Sequence, residues 1–485
     1  MMHRFEFIEK IAKENPAQVA FADNAQKVTY RDLDMVSRKL AAVLRGRGIK
    51  YGELVAVTLP THLSWLTTIT LHRMGAITMS KNNSSDFSRE AVPDWIISGI
   101  SHRMIPEDRT LIFNPIFAGE VEKAIPEEFL TGYSKPTDVM RLVSTSGTTG
   151  SVKYIAQSAG ELLQMTQLVG SSALAEGERT MSLFPLGAAQ TYRLMLQSLV
   201  SGSTFYSYTQ NDNGILRSVE KYKINKLIGS PAQFSKFLDI QHELNLALPT
   251  VQSVVMGGSA PTEKLIERIK KQIECTIINA YGSTEVGNVG HQDLTNGRVE
   301  GLSINPLATV EIVDDNDAIL PPGTIGKIRY KRAGMTSEYY KNPTATAENF
   351  KDGYFYPGDL GLINQSGQLV LHGRVNEVIN LGGVKIDPSF IDSVAISQLG
   401  VVNCATFYFI NLDGNESLAL AVVIDEDFDL VVLQKTLAQK TPYPVAAIEV
   451  MGSIPRNENG KVLRYALREG FERRLAEKRA EEREI

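Results

Sequence analysis

Residues Ser144–Lys153 read STSGTTGSVK. Hydroxyls from Ser144, Thr145, Ser146, Thr148, Thr149 and Ser151 surround two glycines, Gly147 and Gly150, and the run ends on Lys153. Two readings fit such a stretch. Small polar residues without bulk make a flexible linker. Glycines that let backbone N–H groups converge, hydroxyls that add donors and one lysine make a cradle for phosphate. The Walker spacing GxxxxGK[ST] is absent. Alone, the stretch supports linker and phosphate loop equally, and its surroundings must decide.

Outward from it, short apolar runs alternate with helical patterns. ELVAVTL, RTLIF, TMSLFPL, INKLIGS, SVVMGG and CTIINAYG read as strands buried on both faces. VTYRDLDMVSRKLAAVL opens with Thr29 and has Asp32 three residues on, a capping-box arrangement. Leu33, Val36, Leu40 and Val43 then recur at helical spacing. This alternation predicts an α/β fold with parallel-rich sheets. After about residue 300 the pattern becomes apolar–polar, with turn signals at PPG, Ser366-Gly367 and Gly382-Gly383, so a β-rich antiparallel part is expected. From Pro388 a small α+β pattern follows, ending in a charged helix with Leu467, Phe471 and Leu475 along one stripe.

Bulk properties narrow the function. The 485-residue chain has room for a large domain and a smaller one. Its net charge of −5 gives no electrostatic case for nucleic acid. Cys275 and Cys404 lie far apart, and the seven histidines show no ligand spacing, so neither a disulfide framework nor a zinc site is favoured. Pro60, His62, His72 and Arg73 interrupt the most apolar stretch, from Leu54, short of a membrane span. The N-terminus lacks an apolar core of signal-peptide length, and a cytoplasmic protein is expected.

Four further stretches carry candidate chemistry. NAYGSTE, Asn279–Glu285, follows an apolar strand and is placed at a strand's C-terminal end, where open α/β sheets bind ligands. There Tyr281 could stack on a base, Thr284 could donate to phosphate and Glu285 could hold Mg²⁺, or the segment could be a polar loop with a packed tyrosine. YPGDLG puts Asp359 at a tight turn, as a ribose ligand or a plain hairpin aspartate. GRVNEVINLGGVKI offers Arg374, and PRNENGKVLR offers Lys461. Singly, these last three read more readily as structural than as functional.

Together and in this order, the stretches resemble the adenylate-forming superfamily of acyl-CoA synthetases, nonribosomal peptide synthetase adenylation domains and firefly luciferases. STSGTTGSVK resembles its phosphate loop [ST]SGTTGxPK, NAYGSTE its YGxTE motif, and SVVMGGSAP the strand before that. YPGDLG resembles its TGD motif, GRVNEVINLGGVKI its hinge and following hairpin, and PRNENGKVLR its closing lysine motif. The likeness runs from about residue 5 to about residue 470. It implies ATP- and Mg²⁺-dependent conversion of a carboxylic acid to an acyl-adenylate with release of pyrophosphate. The acyl group would then pass to the thiol of CoA or of a carrier protein. An amide-forming ligase and a non-catalytic nucleotide-binding relative are the alternatives.

The resemblance also implies residue roles. Ser144, Thr145, Ser146, Gly147, Thr148, Thr149, Gly150 and Lys153 would handle the β and γ phosphates. Gly258, Ser259, Asn279, Ala280, Tyr281, Gly282 and Ser283 would line the nucleotide, with Tyr281 and Asn279 on adenine. Asp359 and Arg374 would take the ribose hydroxyls, and Glu285 would hold Mg²⁺ beside Thr284. Lys461 would bridge the attacking carboxylate and the α-phosphate. Domains of 1–374 and 375–485 would meet at hinge residue Asn376, the small one being mobile. Departures from the pattern are Val152 for the loop proline, Tyr154 for the glycine after the lysine, Pro357 for the TGD threonine and Asn376 for the hinge acid. FPLGAAQTYRL, Phe184–Leu194, lacks both the aspartate of amino-acid-activating members and the gating histidine of many acyl-CoA synthetases. That disfavours an α-amino acid and suggests a fatty, aryl or similar acid. Gly187, Gln190, Tyr192, Met256 and Gly257 are the candidate acid contacts, with Arg193 a further polar one, although Gln190, Tyr192 and Arg193 fit the start of a plain core helix at least as well.

Overall fold

The computed structural model describes residues 2–80, 91–100, 105–145, 153–170, 177–209, 213–297, 301–374, 379–381, 384–386, 388–411, 415–441, 443–456 and 462–484. Its helices start where local chemistry dictates. At Tyr30–Gly46 the Thr29 side chain accepts from Asp32 N, and the Asp32 carboxylate accepts from Thr29 N at 3.2 Å, so both ends of the capping box are made. Leu33, Leu40, Ala41 and Leu44 are buried along that helix, with Val36 and Val43 at the edges of the face. The apolar stretch from Leu54 divides into the strand Leu54–Thr58 and the helix Thr61–Met74. His72 and Arg73 are buried in that helix, and the Arg73 guanidinium is matched by Asp34 at 2.5 Å. Among the described residues, no helix is long and apolar enough to cross a membrane.

Two sheets of mostly parallel strands form the large layer. One holds nine strands in the order Ser303–Ile304, Gly287–Asp293, Thr276–Ser283, Ser253–Gly257, Lys226–Gly229, Thr180–Ser182, Phe205–Tyr206, Val19–Ala22 and Lys27–Thr29. Pairing is parallel from Thr276–Ser283 to Val19–Ala22 and antiparallel at both margins. The other holds Thr110–Ile112, Trp95–Ser98, Leu54–Thr58, Ile77–Ser80, Val139–Thr145 and Lys153–Ser158, antiparallel only at the last pair. The β-rich part is a six-stranded antiparallel sheet centred on Gly326–Arg332.

Further along, Ile379–Leu381 and Val384–Ile386 pair as a hairpin, and Val401–Ile410, Glu416–Ile424 and Val445–Val450 form a three-stranded sheet. Helices Pro388–Ile396 and Leu430–Lys440 pack with this region, and Leu467 and Phe471 of the last helix, Arg464–Glu484, join a core with Phe407 and Phe409. The buried apolar clusters divide along the chain. Those of the large sheets draw only on residues up to Leu369, and those of the small sheet only on residues from Ile386. The α/β class with a β-rich part and a small α+β unit is therefore realised.

Candidate active site at the strand ends

The phosphate-loop stretch begins and ends on adjacent strands. Thr145 pairs with Lys153 and Ser144 with Tyr154 in an antiparallel register, and Thr145 Oγ1 donates to Lys153 O at 3.4 Å. Ser146, Gly147, Thr148, Thr149, Gly150, Ser151 and Val152 lie outside the described residues, as do Asn376 and Lys461. Lys153 reaches back so that its Nζ stands 5.0 Å from the centre of the Tyr339 ring, a cation–π contact.

Asn279–Ser283 of NAYGSTE form the end of the strand Thr276–Ser283, and Thr284 and Glu285 open the turn after it. Parallel pairing with Ser253–Gly257 stops at Gly257–Ala280, so Tyr281, Gly282 and Ser283 project past their parallel neighbour. The chain then doubles back into Gly287–Asp293. A Cβ on Gly282 would fall 2.0 Å from Gly287 O, so this reversal excludes any other residue. Gly258, just past Ser253–Gly257, has φ +90 and starts the turn that leaves Gly258 and Ser259 exposed at the same edge.

Two carboxylates are fixed here by tyrosines. The Tyr281 hydroxyl donates to Asp359 Oδ2 at 2.5 Å, and Asp359 is buried at the start of Asp359–Ile363. Arg374 pairs with Asp359 across the sheet. The Tyr339 hydroxyl donates to Glu285 Oε1 at 2.9 Å, and Thr336 N donates to Glu285 O at 3.0 Å. Tyr339 thus touches both the loop lysine and the motif glutamate. Asn279 is buried beside Tyr281, and the Ser283 hydroxyl accepts from Val286 N at 3.2 Å to close the turn after the strand. Nothing in the sequence marked Tyr339. It lies in an unremarked EYYKNP run and reaches the site only through the fold.

The acid-contact candidates separate by phase. Helix Ala189–Ser201 puts Gln190 and Arg193 three residues apart on one face, and Tyr192 on another. Gln190 Oε1 lies 3.9 Å from where a Gly257 Cβ would stand, so these two face each other. Tyr192 is 1% exposed, and its hydroxyl bonds to His72 Nε2. Met256 is 0% exposed and packs with Leu183, Val254 and Phe234. Tyr192 and Met256, expected to contact the acid, are both buried in the apolar core. Strand alternation sends Met256 to the face opposite Gly257, and helix pitch turns Tyr192 away from Gln190. Gly187 serves through its carbonyl, which accepts from Arg141 Nη2 at 2.7 Å.

Arginines dominate the electrostatics behind this edge. Arg193 Nη2 donates to the Thr284 carbonyl at 2.8 Å, and Arg332 Nη1 to the Asn288 carbonyl at 3.2 Å. Burial pulls the Arg193 pKa down to about 10; Arg332 adds to the fall, Glu285 opposes it and Arg141 adds again. Arg141, 1% exposed with its guanidinium 3.6 Å from the Tyr192 ring centre, is likewise pulled down to about 10 by burial. A charged residue inside the apolar run VMRLV was a visible signal for Arg141, whereas Arg332 had none.

The chain matches the family model described as AMP-binding enzyme over residues 8–90 and 102–340. It is 26% identical to 2-succinylbenzoate–CoA ligase from Listeria innocua, over 96% of this chain and 98% of that protein. It is 25% identical to 4-chlorobenzoate–CoA ligase from Arthrobacter sp, over 97% and 95% respectively. The o-succinylbenzoate CoA synthetase from Bacillus subtilis, solved with the acyl-adenylate intermediate OSB-AMP, has the same fold. Its TM-score is 0.82 at 18% identity, covering 95% of this chain and 97% of that one. The chain belongs to the AMP-binding enzyme family, the adenylate-forming group whose ordered motifs its sequence carries.

Proposed function

We propose that the protein activates a non-amino carboxylic acid with ATP and passes the acyl group to the thiol of CoA. A carboxylate oxygen attacks the α-phosphorus, the bond to the β-phosphate breaks and pyrophosphate leaves. The thiolate sulfur then attacks the acyl carbon and AMP leaves. A carrier-protein thiol is the other acceptor of the same chemistry. The observation that carries the reading is the convergence of Lys153 and Glu285 on Tyr339 at the strand ends. End-to-end similarity to acid–CoA ligases supports it.

Two anions must meet, so charge and geometry both have to be supplied. Lys153 and the loop hydroxyls of Thr145, Ser146, Thr148 and Thr149 bind the β and γ phosphates. Asn279 and Tyr281 hold adenine, and Asp359 with Arg374 holds the ribose. The buried Glu285 carboxylate, oriented by Tyr339, fits Mg²⁺, because that ion takes one protein carboxylate and completes its shell with phosphate and water oxygens. When bound, Mg²⁺ neutralises phosphate charge. Thr284, next to Glu285, donates to phosphate, and Gln190 and Gly257 border the acid.

Lys461 bridges the acid and the α-phosphate from the small unit, residues 375–485, which rotates against 1–374 at Asn376 between the two half-reactions. The separate cores before Leu369 and after Ile386 support that boundary. The cytoplasm, where ATP and CoA are plentiful, is the compartment this chemistry suits. The test is ATP–pyrophosphate exchange across fatty, aryl, hydroxy and amino acids. Exchange with a non-amino acid is expected, followed by CoA-dependent AMP release. Exchange with amino acids alone would overturn the reading.

A further inference from the structure

Two arginines converge on Gly287. A Cβ on Gly287 would stand 3.3 Å from Arg332 Nη1 and 3.4 Å from Arg193 Nη1. Gly287 sits two residues past Glu285, and Arg193 shares its helix face with Gln190, which borders the acid side of the site. Arg332 is 8% exposed. Arg193 Nε and Arg332 Nε are both buried with no acceptor among the described residues. Among the described residues, their side-chain hydrogen bonds go to the backbone carbonyls of Thr284 and Asn288, and neither guanidinium makes an ion pair.

Two like charges drawn together out of water are unfavourable unless an anion joins them. Carbonyl dipoles and the charge of the nearby Glu285 carboxylate, which accepts from Tyr339, offset part of that cost. A carboxylate between two guanidiniums would accept several charge-assisted bonds, and both Nη1 atoms lie close to Gly287, although that of Arg332 also donates to the Asn288 carbonyl. Arg141, whose Nε and Nη1 are also buried without acceptors, adds positive potential from beneath the Gly187 segment.

We propose that the acid substrate carries a second anionic group, a second carboxylate or its charge equivalent, held by Arg193 and Arg332 beside Gly287. This rests on the acid-activation reading above and narrows its substrate class. The activated carboxylate points toward Lys461 and the α-phosphate, and the remote anion anchors the other end of the molecule.

The test is ATP–pyrophosphate exchange by the full chain with MgATP, comparing adipate with hexanoate and isophthalate with benzoate, and each diacid with its monomethyl ester. A site built for an anion rejects the neutral analogue, so kcat/KM for the preferred diacid should exceed that of its partner by roughly hundredfold. Arg193→Leu and Arg332→Leu should each cut that ratio by about tenfold with the KM for ATP unchanged, and Arg193→Lys should restore part of it. The wild-type ratio is informative even where a leucine variant fails to fold. Equal or better exchange with the monoacids would overturn the proposal while leaving acid activation intact. A rise in the KM for ATP without a change in acid preference would assign the arginines to nucleotide phosphate and also overturn it. If no acid exchanges, thermal shift separates the two readings. Arginine-dependent stabilisation by the diacids would keep the anion site while acid activation fails, and no stabilisation would overturn both.

Discussion

The Tyr281 hydroxyl donates to Asp359 Oδ2 at 2.5 Å, joining the end of a strand in the nine-stranded sheet to the first residue of a strand in the antiparallel sheet. The residues proposed for adenine and for ribose are therefore held as a pair. Asp359→Ala should weaken ATP binding by more than about tenfold, and Tyr281→Phe, which keeps the ring, by roughly three- to tenfold. Calorimetric titration with ATP checks both. Unchanged affinity in Asp359→Ala would remove the ribose assignment.

Tyr339 couples the metal side to the phosphate side. Tyr339→Phe keeps the face under Lys153 and deletes the donor to Glu285. The Mg²⁺ concentration giving half-maximal exchange should rise about three- to tenfold, with little change in the KM for the acid. A Mg²⁺ titration at fixed ATP reads this directly, and an unmoved midpoint would contradict the orienting role.

Lys461 is assigned to one half-reaction only. Lys461→Ala should slow adenylate formation by about a hundredfold or more while sparing thioester formation from supplied acyl-adenylate. A chain ending at residue 374 should bind ATP and fail at adenylation. Equal loss of both half-reactions in Lys461→Ala would contradict rotation of the small unit.

Acidification should destabilise the fold through His72. Its Nδ1 donates to the Tyr133 oxygen at 2.7 Å, because the Tyr133 proton is given to Ala76 O, and its Nε2 accepts from Tyr192. Burial holds its pKa well below the usual histidine value, with Arg141 adding to the fall and a backbone contact at Ala76 opposing it. The folded pKa is depressed, so below about 6.5 the unfolded chain takes up a proton that the folded chain refuses, and stability falls as pH drops, by up to about 1.4 kcal/mol per pH unit. Urea midpoints between neutrality and pH 5 should show that slope, and His72→Gln should flatten it. An equal slope in the variant would place the titration elsewhere.

The sheets were legible because strands buried on both faces leave continuous apolar runs, and the site was legible wherever a motif is contiguous, as in NAYGSTE. Side-chain phase was harder. In FPLGAAQTYRL the helix begins at Ala189, and that boundary decides that Gln190 and Arg193 share a face while Tyr192 enters the core. Met256 is the matching case in a strand, where one step flips a residue between faces. Tyr339 and Arg332 were out of reach, since each meets its partner only through long-range packing of the antiparallel sheet on the parallel one.

The paired register of Thr145 with Lys153 has a consequence for how the protein meets nucleotide. The two ends of the phosphate segment are already adjacent, so the entropy of closing that segment is lost when the sheet forms and not when ATP arrives. If the proposed phosphate role holds, affinity for phosphate can be tuned by exchanging residues between Ser146 and Val152 while the Thr145–Lys153 pairing stays as it is. Stability and nucleotide affinity become separately adjustable quantities within a single hairpin.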